Sequence, residues 1–159
     1  MVRIDRSLCV AQAPEVLFHL LCDPLRFPRL FKAFSKVEQI SADARCVGAR
    51  YLMLVRVGRS EAGGVQRITD FQPPYRIAWT SERGVELSAA VSIRPVGSGV
   101  SEVRVELAYA VPGWRPAGVI VERLTRHVVD RHMHATLLTL KRLAEFDLET
   151  VADTERQRP

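Results

Sequence analysis

The chain has 159 residues, of which 47% are hydrophobic and 26% are charged, and its formal net charge is +5. This composition is typical of a globular domain and excludes an extensively disordered chain. The length is sufficient for one domain with a sizeable core that needs neither disulfides nor metals. Because no long apolar run and no signal-peptide pattern occur, we expect a cytoplasmic protein without a transmembrane segment.

The cysteines and the basic residues exclude further classes. Cys9, Cys22 and Cys46 are odd in number and form no C-x-x-C pair, which indicates reduced thiols. The basic residues, mostly arginines, are scattered along the chain and are not concentrated on one element among aromatic residues, so the pattern disfavours a nucleic-acid interface. The positive charge does permit an anionic partner, such as an acidic acyl-carrier protein or a membrane surface.

Hydrophobic alternation predicts one strand, then a short helical region, then six strands. Residues 2–10 alternate as a half-buried strand, Pro14 opens a helix, and a second short helical segment rich in phenylalanine follows Pro24. The short turns between the later strands predict an antiparallel meander with one solvated face. These six strands are predicted over residues 36–40, 49–57, 65–71, 75–81, 85–93 and 103–111.

The end of the chain predicts one long helix, from about Trp114 to Phe146, followed by a polar tail. One side of this helix is charged and carries His127 and His134, to which we assign no role. The arc predicted to be buried comprises Val121, Leu124, Val128, Ala135, Leu143 and Phe146, with Thr125, His132 and Thr139 along its middle. A second apolar line flanks this arc and comprises Val129, Met133, Leu137, Leu140 and Ala144.

Three sequence motifs resemble a known family. They read Ala-Pro-Glu-Val-Leu at 13–17 with Asp-Pro-Leu-Arg-Phe-Pro at 23–28, Phe-Gln-Pro-Pro-Tyr-Arg at 71–76, and Leu-Lys-Arg-Leu-Ala-Glu at 140–145. With the order of elements, they make residues 2–146 similar to the SRPBCC (START and birch-pollen-allergen-like) superfamily, in particular to its polyketide cyclase/dehydrase branch.

The resemblance implies an α+β helix-grip fold, in which a curved antiparallel sheet of about seven strands wraps the long C-terminal helix. Two short helices are expected between the first and second strands. We expect one domain over residues 1–148 and a disordered polar tail over residues 149–159. In this fold the concave sheet face and the inner helix face enclose a cavity, which suits a hydrophobic small molecule.

The residues in phase with that cavity are its predicted lining: Tyr51, Met53, Thr69, Trp79, Leu107, Tyr109, Thr125 and Val128. His132 and Arg67 are the catalytic candidates, because imidazole can move a proton near neutral pH and a guanidinium can polarise a carbonyl. Each has a structural alternative: His132 as a core histidine bonded to a neighbouring threonine or carbonyl, and Arg67 as the partner of Glu86.

Metal and covalent chemistry are disfavoured. His132 and His134 lie on different sides of the helix and cannot share an ion. No phosphate-binding glycine loop and no nucleophile elbow occur, so we expect no cofactor and no metal.

Two functions of different classes remain open at the sequence level. The first is binding of a hydrophobic, oxygenated small molecule with cofactor-independent polyketide cyclase or dehydrase activity, in which enforced proximity would supply most of the acceleration. The second is non-catalytic carriage of a lipid, isoprenoid or quinone. A third interpretation, an interaction module that uses the basic surface, requires binding that weakens steeply with salt.

Overall fold

The structure is a computed structural model that describes the backbone of residues 1–57, 59–110 and 117–156 and the side chains of residues 1–56, 59–110 and 126–146. The helices span Pro14–Leu21 (α1), Phe27–Leu30 (α2) and Ala117–Arg156 (α3), and a 3-10 turn over Pro24–Arg26 precedes α2. The strands span Val2–Val10 (β1), Phe34–Gln39 (β2), Arg50–Val57 (β3), Ser60–Gln72 (β4), Arg76–Gly84 (β5), Leu87–Gly97 (β6) and Val100–Tyr109 (β7).

All seven strands form one antiparallel sheet in the order β1-β7-β6-β5-β4-β3-β2. The first strand pairs with the last along its whole length, from Val2 opposite Tyr109 to Val10 opposite Ser101. The other six strands are neighbours in chain order, as the short turns between them require. The predicted helix-grip fold, with two short helices between the first and second strands, is therefore confirmed.

Strand β4 is longer than the sequence predicted, because it begins at Ser60 and includes a Gly-Gly pair that was assigned to a loop. A Cβ atom at Gly63 would clash with the carbonyl oxygen of Met53, and one at Gly64 would clash with that of Arg83. Both glycines also adopt a positive φ. They allow β4 to pass closely between β3 and β5 where any side chain would be excluded.

Helix α3 covers the concave face with a different strip from the one predicted to be buried. Leu137, Leu140 and Ala144, from the second apolar line, are at most 4% exposed, whereas Val128 is 43% exposed and Phe146 is 68% exposed. Leu143 and Ala135 of the predicted arc are exposed as well. The predicted orientation was therefore wrong by a rotation about the helix axis, because the sheet selects one of two neighbouring apolar strips.

The limits of α3 also differ from the prediction. The helix continues to Arg156, well beyond the predicted end at Phe146, so residues 149–156 of the expected tail are helical. The predicted start at Trp114 and the side chains of Val121, Leu124 and Thr125 lie outside the described residues. The division into a domain over residues 1–148 and a tail stays a prediction.

Hydrogen bonds between remote segments fasten the C-terminal half of α3 to the sheet. The buried side chain of Gln12 donates from Nε2 to the carbonyl oxygen of Ala144 at 3.3 Å and accepts from the backbone N–H of Ala13 at 3.0 Å. The carbonyl oxygen of Gln12 in turn accepts from Ser101 Oγ at 2.8 Å. One polar residue therefore links the end of β1, α3 and β7, and its buried amide is paired at both ends.

The phenylalanines of the short helical region cover the other side of the concave face. Phe27 is 3% exposed, and its ring centroid lies 6.3 Å from that of Trp79 on β5. The rings of Phe31 and Phe34 lie 5.7 and 5.2 Å from the ring of Phe27. These tilted contacts form an aromatic cluster that joins α2 to the middle of the sheet.

The burial pattern of α3 leads to a paired prediction about stability. Leu140→Ala removes a side chain that is 1% exposed, so we expect the free energy of unfolding to fall by about 2–5 kcal/mol. Leu143→Ala makes the same change on the strip that was predicted to be buried, and we expect a loss of about 0.5 kcal/mol or less. Urea unfolding of both variants measures the difference. A larger loss for Leu143→Ala would contradict the observed orientation of the helix.

Candidate functional site

Several predicted lining residues lie on the concave face of the sheet. Tyr51 is 1%, Met53 is 4% and Trp79 is 8% exposed. Tyr109 is 6% exposed and belongs to a smaller cluster with Val2 and Ile4, against which Val129 and Met133 of α3 pack. Leu107 is half-buried on the same face. The structure therefore brings five of the proposed lining residues onto one surface.

Arg67 and Thr69 do not face the cavity, because β4 keeps an unbroken register with β3 that places Gln66 opposite the buried Tyr51. Gln66 and Ile68 are buried, at 3% and 1%, while Arg67 and Thr69 are exposed. The bulge of β4 lies between Ile68 and Asp70, so Phe71 packs on the core although it shares its sequence phase with Arg67. An extra residue in a strand reverses the faces on either side of it, so a phase that included Phe71 gave the wrong orientation for Arg67. Arg67 forms no ion pair with Glu86 among the described residues.

His132 and Val128 are exposed on α3 and are not among the buried residues of the concave face. His132 instead lines a groove of ≈300 Å³ between α3 and the segment that follows α2. Leu30, Phe31 and Lys32 form the opposite wall. The groove opens to solvent beside the aromatic cluster, so His132 is at its mouth and not in the interior. The side chain of Thr125 lies outside the described residues.

The central strands present an apolar patch on the concave face that the described residues of the helices bury only in part. Leu87, Val105 and Leu107 are only half-buried, although they adjoin the buried core. Trp79 pairs with Ala89, and Ala89 pairs with Leu107. The side chains of Trp79 and Leu107 therefore lie in one row across the strands, with the small side chain of Ala89 between them. We call Trp79, Leu87, Val105 and Leu107 the central patch. Its composition suits the body of a hydrophobic ligand.

Two buried polar atoms next to the central patch have no hydrogen-bond partner among the described residues: Gln66 Oε1 and Tyr109 Oη. Tyr51, in contrast, accepts a bond at Oη from the backbone N–H of Arg45 at 3.4 Å. Gln66 was missed in the sequence, because Phe71, which packs on the core, lies beyond the bulge between Ile68 and Asp70 and therefore indicates the opposite phase. One sign in the sequence did indicate that Gln66 faces inward. Gln66 shares its phase with the apolar Ile68, whereas Arg67 has the opposite phase.

A larger depression of ≈410 Å³ lies on the outer face of the sheet and has a different character. Small residues such as Ala78, Ala90 and Ala108 form its floor. The charges at its rim satisfy one another: Arg76 pairs with Asp70 at 3.0 Å, and Arg104 pairs with Asp5. The guanidinium of Arg104 holds the pKa of the Asp5 carboxyl below its ordinary value. Because these charges are already paired, the depression requires no ligand.

The interior of the described part is neutral. The buried polar residues there are Gln12, Gln66 and Ser101, and no carboxylate, imidazole or guanidinium is buried among the described residues. Burial raises the pKa of the Tyr51 hydroxyl and of the Cys22 thiol, so both groups stay protonated near neutral pH. No cluster of three or more His, Cys, Asp and Glu side chains close enough to hold a metal ion occurs in this part of the chain. The buried side chains of this part offer amide and hydroxyl groups that can form hydrogen bonds.

Comparison with protein families decides the affiliation of the chain. Residues 1–145 match the family described as "Polyketide cyclase / dehydrase and lipid transport". The chain belongs to this family. Both parts of that description concern hydrophobic molecules, so membership supports hydrophobic ligand binding. No curated protein sequence matches the chain.

Solved structures with the same fold include two proteins that are named as aromatase/cyclases. The Zhui aromatase/cyclase from Streptomyces sp. R1128 superposes with a TM-score of 0.77 at 18% identity, covering 91% of this chain and 93% of Zhui. TTHA0849 from Thermus thermophilus gives 0.75 at 13% identity, covering 89% of this chain and 95% of that protein. The di-domain aromatase/cyclase BexL gives 0.67 at 20% identity, covering 89% of this chain but 46% of BexL. At these identities the likeness establishes the shared fold.

No helix among the described residues is both long enough and apolar enough to cross a membrane.

The environment of Tyr51 leads to a prediction about pH dependence. Burial raises the pKa of Tyr51 above its ordinary value of 10.0 in the folded state. Its contribution to stability is therefore complete below pH 10 and is lost as the pH rises through the folded-state pKa. We expect the free energy of unfolding of Tyr51→Phe to fall less steeply above pH 10 than that of the wild type. Tyr75→Phe, at a residue that is 50% exposed, should follow the wild type. Urea unfolding between pH 8 and pH 11 measures the slopes, and parallel slopes for Tyr51→Phe and the wild type would contradict the prediction.

Proposed function

We propose that this protein binds a hydrophobic, oxygenated small molecule between the central strands of the sheet and α3. The observation that carries the proposal is the central patch, in which Leu87, Val105 and Leu107 are only partly buried beside Trp79 on the concave face. Contiguous apolar surface that the described residues leave partly uncovered is typical of a binding site. Membership of a family with cyclase and lipid-transport members supports the same class of ligand.

We infer that carriage without catalysis is the better of the two functions considered for this site. Acid–base catalysis requires a titratable group within hydrogen-bond reach of the reacting atom. Both candidates for that role, His132 and Arg67, are exposed, and the buried polar residues of the described part are Gln12, Gln66 and Ser101. Such groups orient a lipid, isoprenoid or quinone without changing it.

The proposed ligand position leads to a binding prediction. Leu107→Trp should fill the central patch, because the larger side chain projects from a half-buried position next to Trp79. We expect the affinity for N-phenyl-1-naphthylamine, a neutral apolar fluorophore, to fall about tenfold or more, which corresponds to about 1.4 kcal/mol. Fluorescence titration measures this affinity, and native mass spectrometry of protein purified without detergent reports any co-purified molecule.

Arg67→Ala is the matched control, because it changes an exposed side chain on the opposite face of the same sheet. It should bind the fluorophore as the wild type does. Far-UV circular dichroism must show that Leu107→Trp is folded, since overpacking can cost about 1–3 kcal/mol. Equal affinity of folded Leu107→Trp and wild type would exclude the central patch as the site.

Polyketide cyclase or dehydrase activity is the second candidate function. It is favoured by the family match and by the position of His132 on a groove whose other wall includes Leu30 and Phe31. If the protein is a cyclase, a reactive polyketide would enter along the groove. The imidazole of His132 would then transfer a proton at the mouth of the groove. The acidic acyl-carrier protein that would deliver such a chain stays a prediction.

His132→Ala distinguishes the two functions. If the protein is a carrier, the variant should keep wild-type affinity for the fluorophore, and neither protein should convert a linear polyketone thioester. If the protein is a cyclase, the wild type should convert the thioester and His132→Ala should lose at least about a hundredfold in rate, the usual contribution of a general acid or base. Product formation followed by liquid chromatography and mass spectrometry decides between them. Turnover by the wild type would contradict carriage without catalysis.

A further inference from the structure

The face of α3 that points away from the sheet carries apolar residues that the sheet does not bury. Val128, Leu138 and Leu143 are 43%, 37% and 36% exposed, and Ala135 is exposed between them. At about 100° per residue, these four side chains lie within an arc of about 140° on one side of the helix. Single exposed apolar residues are normal, but a strip of them on one helix face is typical of a surface that contacts a partner.

The charges within this arc all have one sign. Arg131 and Arg142 lie inside it and are exposed, and so is the imidazole of His132. The two acidic residues among residues 126–146, Asp130 and Glu145, lie outside the arc, and each is held in an ion pair. The arc is therefore apolar and basic, without a carboxylate.

The segment around α2 extends the basic surface across the groove. Arg29 and Lys32 line the groove from that side, and His132 and Thr139 line it from α3. None of the residues that line the groove is acidic. Arg29, Lys32, Arg131 and Arg142 form no ion pair among the described residues. Four permanent positive charges on this side of the molecule are thus left for an external anion.

The cations and the apolar side chains alternate around the arc. On the helical wheel, Arg131 and Arg142 lie between Leu138 and Val128. Interfaces between proteins tend to have an apolar core with the charges at the rim. In a bilayer interface, by contrast, lipid phosphates and acyl chains lie within one side-chain length of each other, and the long stems of Arg and Lys reach the phosphates. The arrangement therefore suits a lipid surface better than an acidic protein.

We propose that this surface docks on a membrane that contains anionic lipids, with α3 lying in the plane of the interface. We call it the docking face. This inference goes beyond the proposed function, because it concerns a partner surface outside the ligand site. The cations contact lipid phosphates, and the apolar side chains enter the boundary between headgroups and acyl chains. The docking face consists of Arg29, Lys32, Val128, Arg131, His132, Ala135, Leu138, Arg142 and Leu143.

Co-sedimentation with lipid vesicles tests the role of the cations. The wild type should bind vesicles of equal parts phosphatidylcholine and phosphatidylglycerol, and rising salt should weaken this binding. It should bind vesicles of phosphatidylcholine alone at least about tenfold more weakly. Arg29→Glu/Lys32→Glu should weaken binding to the anionic vesicles about tenfold or more, because each basic residue at such a surface contributes about fivefold.

Arg3→Glu/Arg67→Glu is the matched control. It makes the same change in net charge at two exposed arginines of the outer sheet face that form no ion pair among the described residues. This variant should bind the anionic vesicles within about twofold of the wild type, since screening limits the reach of charges that do not touch the lipid. An equal loss in both double variants, or equal wild-type binding to both lipid compositions, would overturn the proposal.

A fluorescent reporter tests the apolar strip separately. The indole that Leu143→Trp introduces should shift the protein's emission to shorter wavelength when anionic vesicles are added, because it enters the interface. Tyr75→Trp, at a residue that is 50% exposed on the β4–β5 turn, should show no such shift. If Leu143→Trp sediments with the vesicles but its emission stays unchanged, α3 does not make the contact and the proposal is wrong.

The outcomes separate the docking face from the ligand site. Far-UV circular dichroism must show that every variant is folded, and each substitution changes an exposed residue. Without vesicles, Arg29→Glu/Lys32→Glu should bind N-phenyl-1-naphthylamine as the wild type does. A wild type that binds the fluorophore but neither kind of vesicle excludes membrane docking and leaves the proposed function intact. Binding to an acidic acyl-carrier protein without binding to vesicles would assign the docking face to a protein partner and overturn the proposal.

Discussion

The structure depends on covering the concave face of one curved antiparallel sheet. Three elements of the described part supply that cover. They are α3 over the β1 side, α1 against β6, and α2 with Phe27 against Trp79. Burial of their apolar side chains provides the main favourable free energy of folding. These elements leave Leu87, Val105 and Leu107 of the central strands only partly buried, so the proposed binding site is a consequence of how the core is assembled.

The pairing of β4 with β3 decides the electrostatic character of that site. It places the neutral amide of Gln66 inside, opposite Tyr51, and the guanidinium of Arg67 outside. A guanidinium in the interior would require a buried anion or an anionic ligand, whereas an amide requires only a hydrogen-bonding group. Charges on the outer face pair with one another, as Arg76 does with Asp70. The interior therefore suits a neutral guest whose polar atoms are few and specifically placed.

The family frame accommodates catalysis and transport, so the fold alone does not select between them. The difference depends on whether an acid or base reaches the ligand. In the described part of this chain, the interior groups are tyrosine hydroxyls and a glutamine amide, and His132 lies at the mouth of a side groove. Those positions are the basis on which we propose recognition without proton transfer.

The sequence by itself determined the elements and their order, because alternation of apolar residues, helix periodicity and prolines act within short windows of the chain. It also placed Tyr51, Met53 and Trp79 on the concave face, since β3 and β5 keep a regular phase there. Only the tertiary structure decided which strip of α3 is buried and which face of β4 is inward. Two apolar strips on one helix are locally equivalent until a partner surface selects between them, and a bulge is fixed by pairing with neighbouring strands that are remote in sequence.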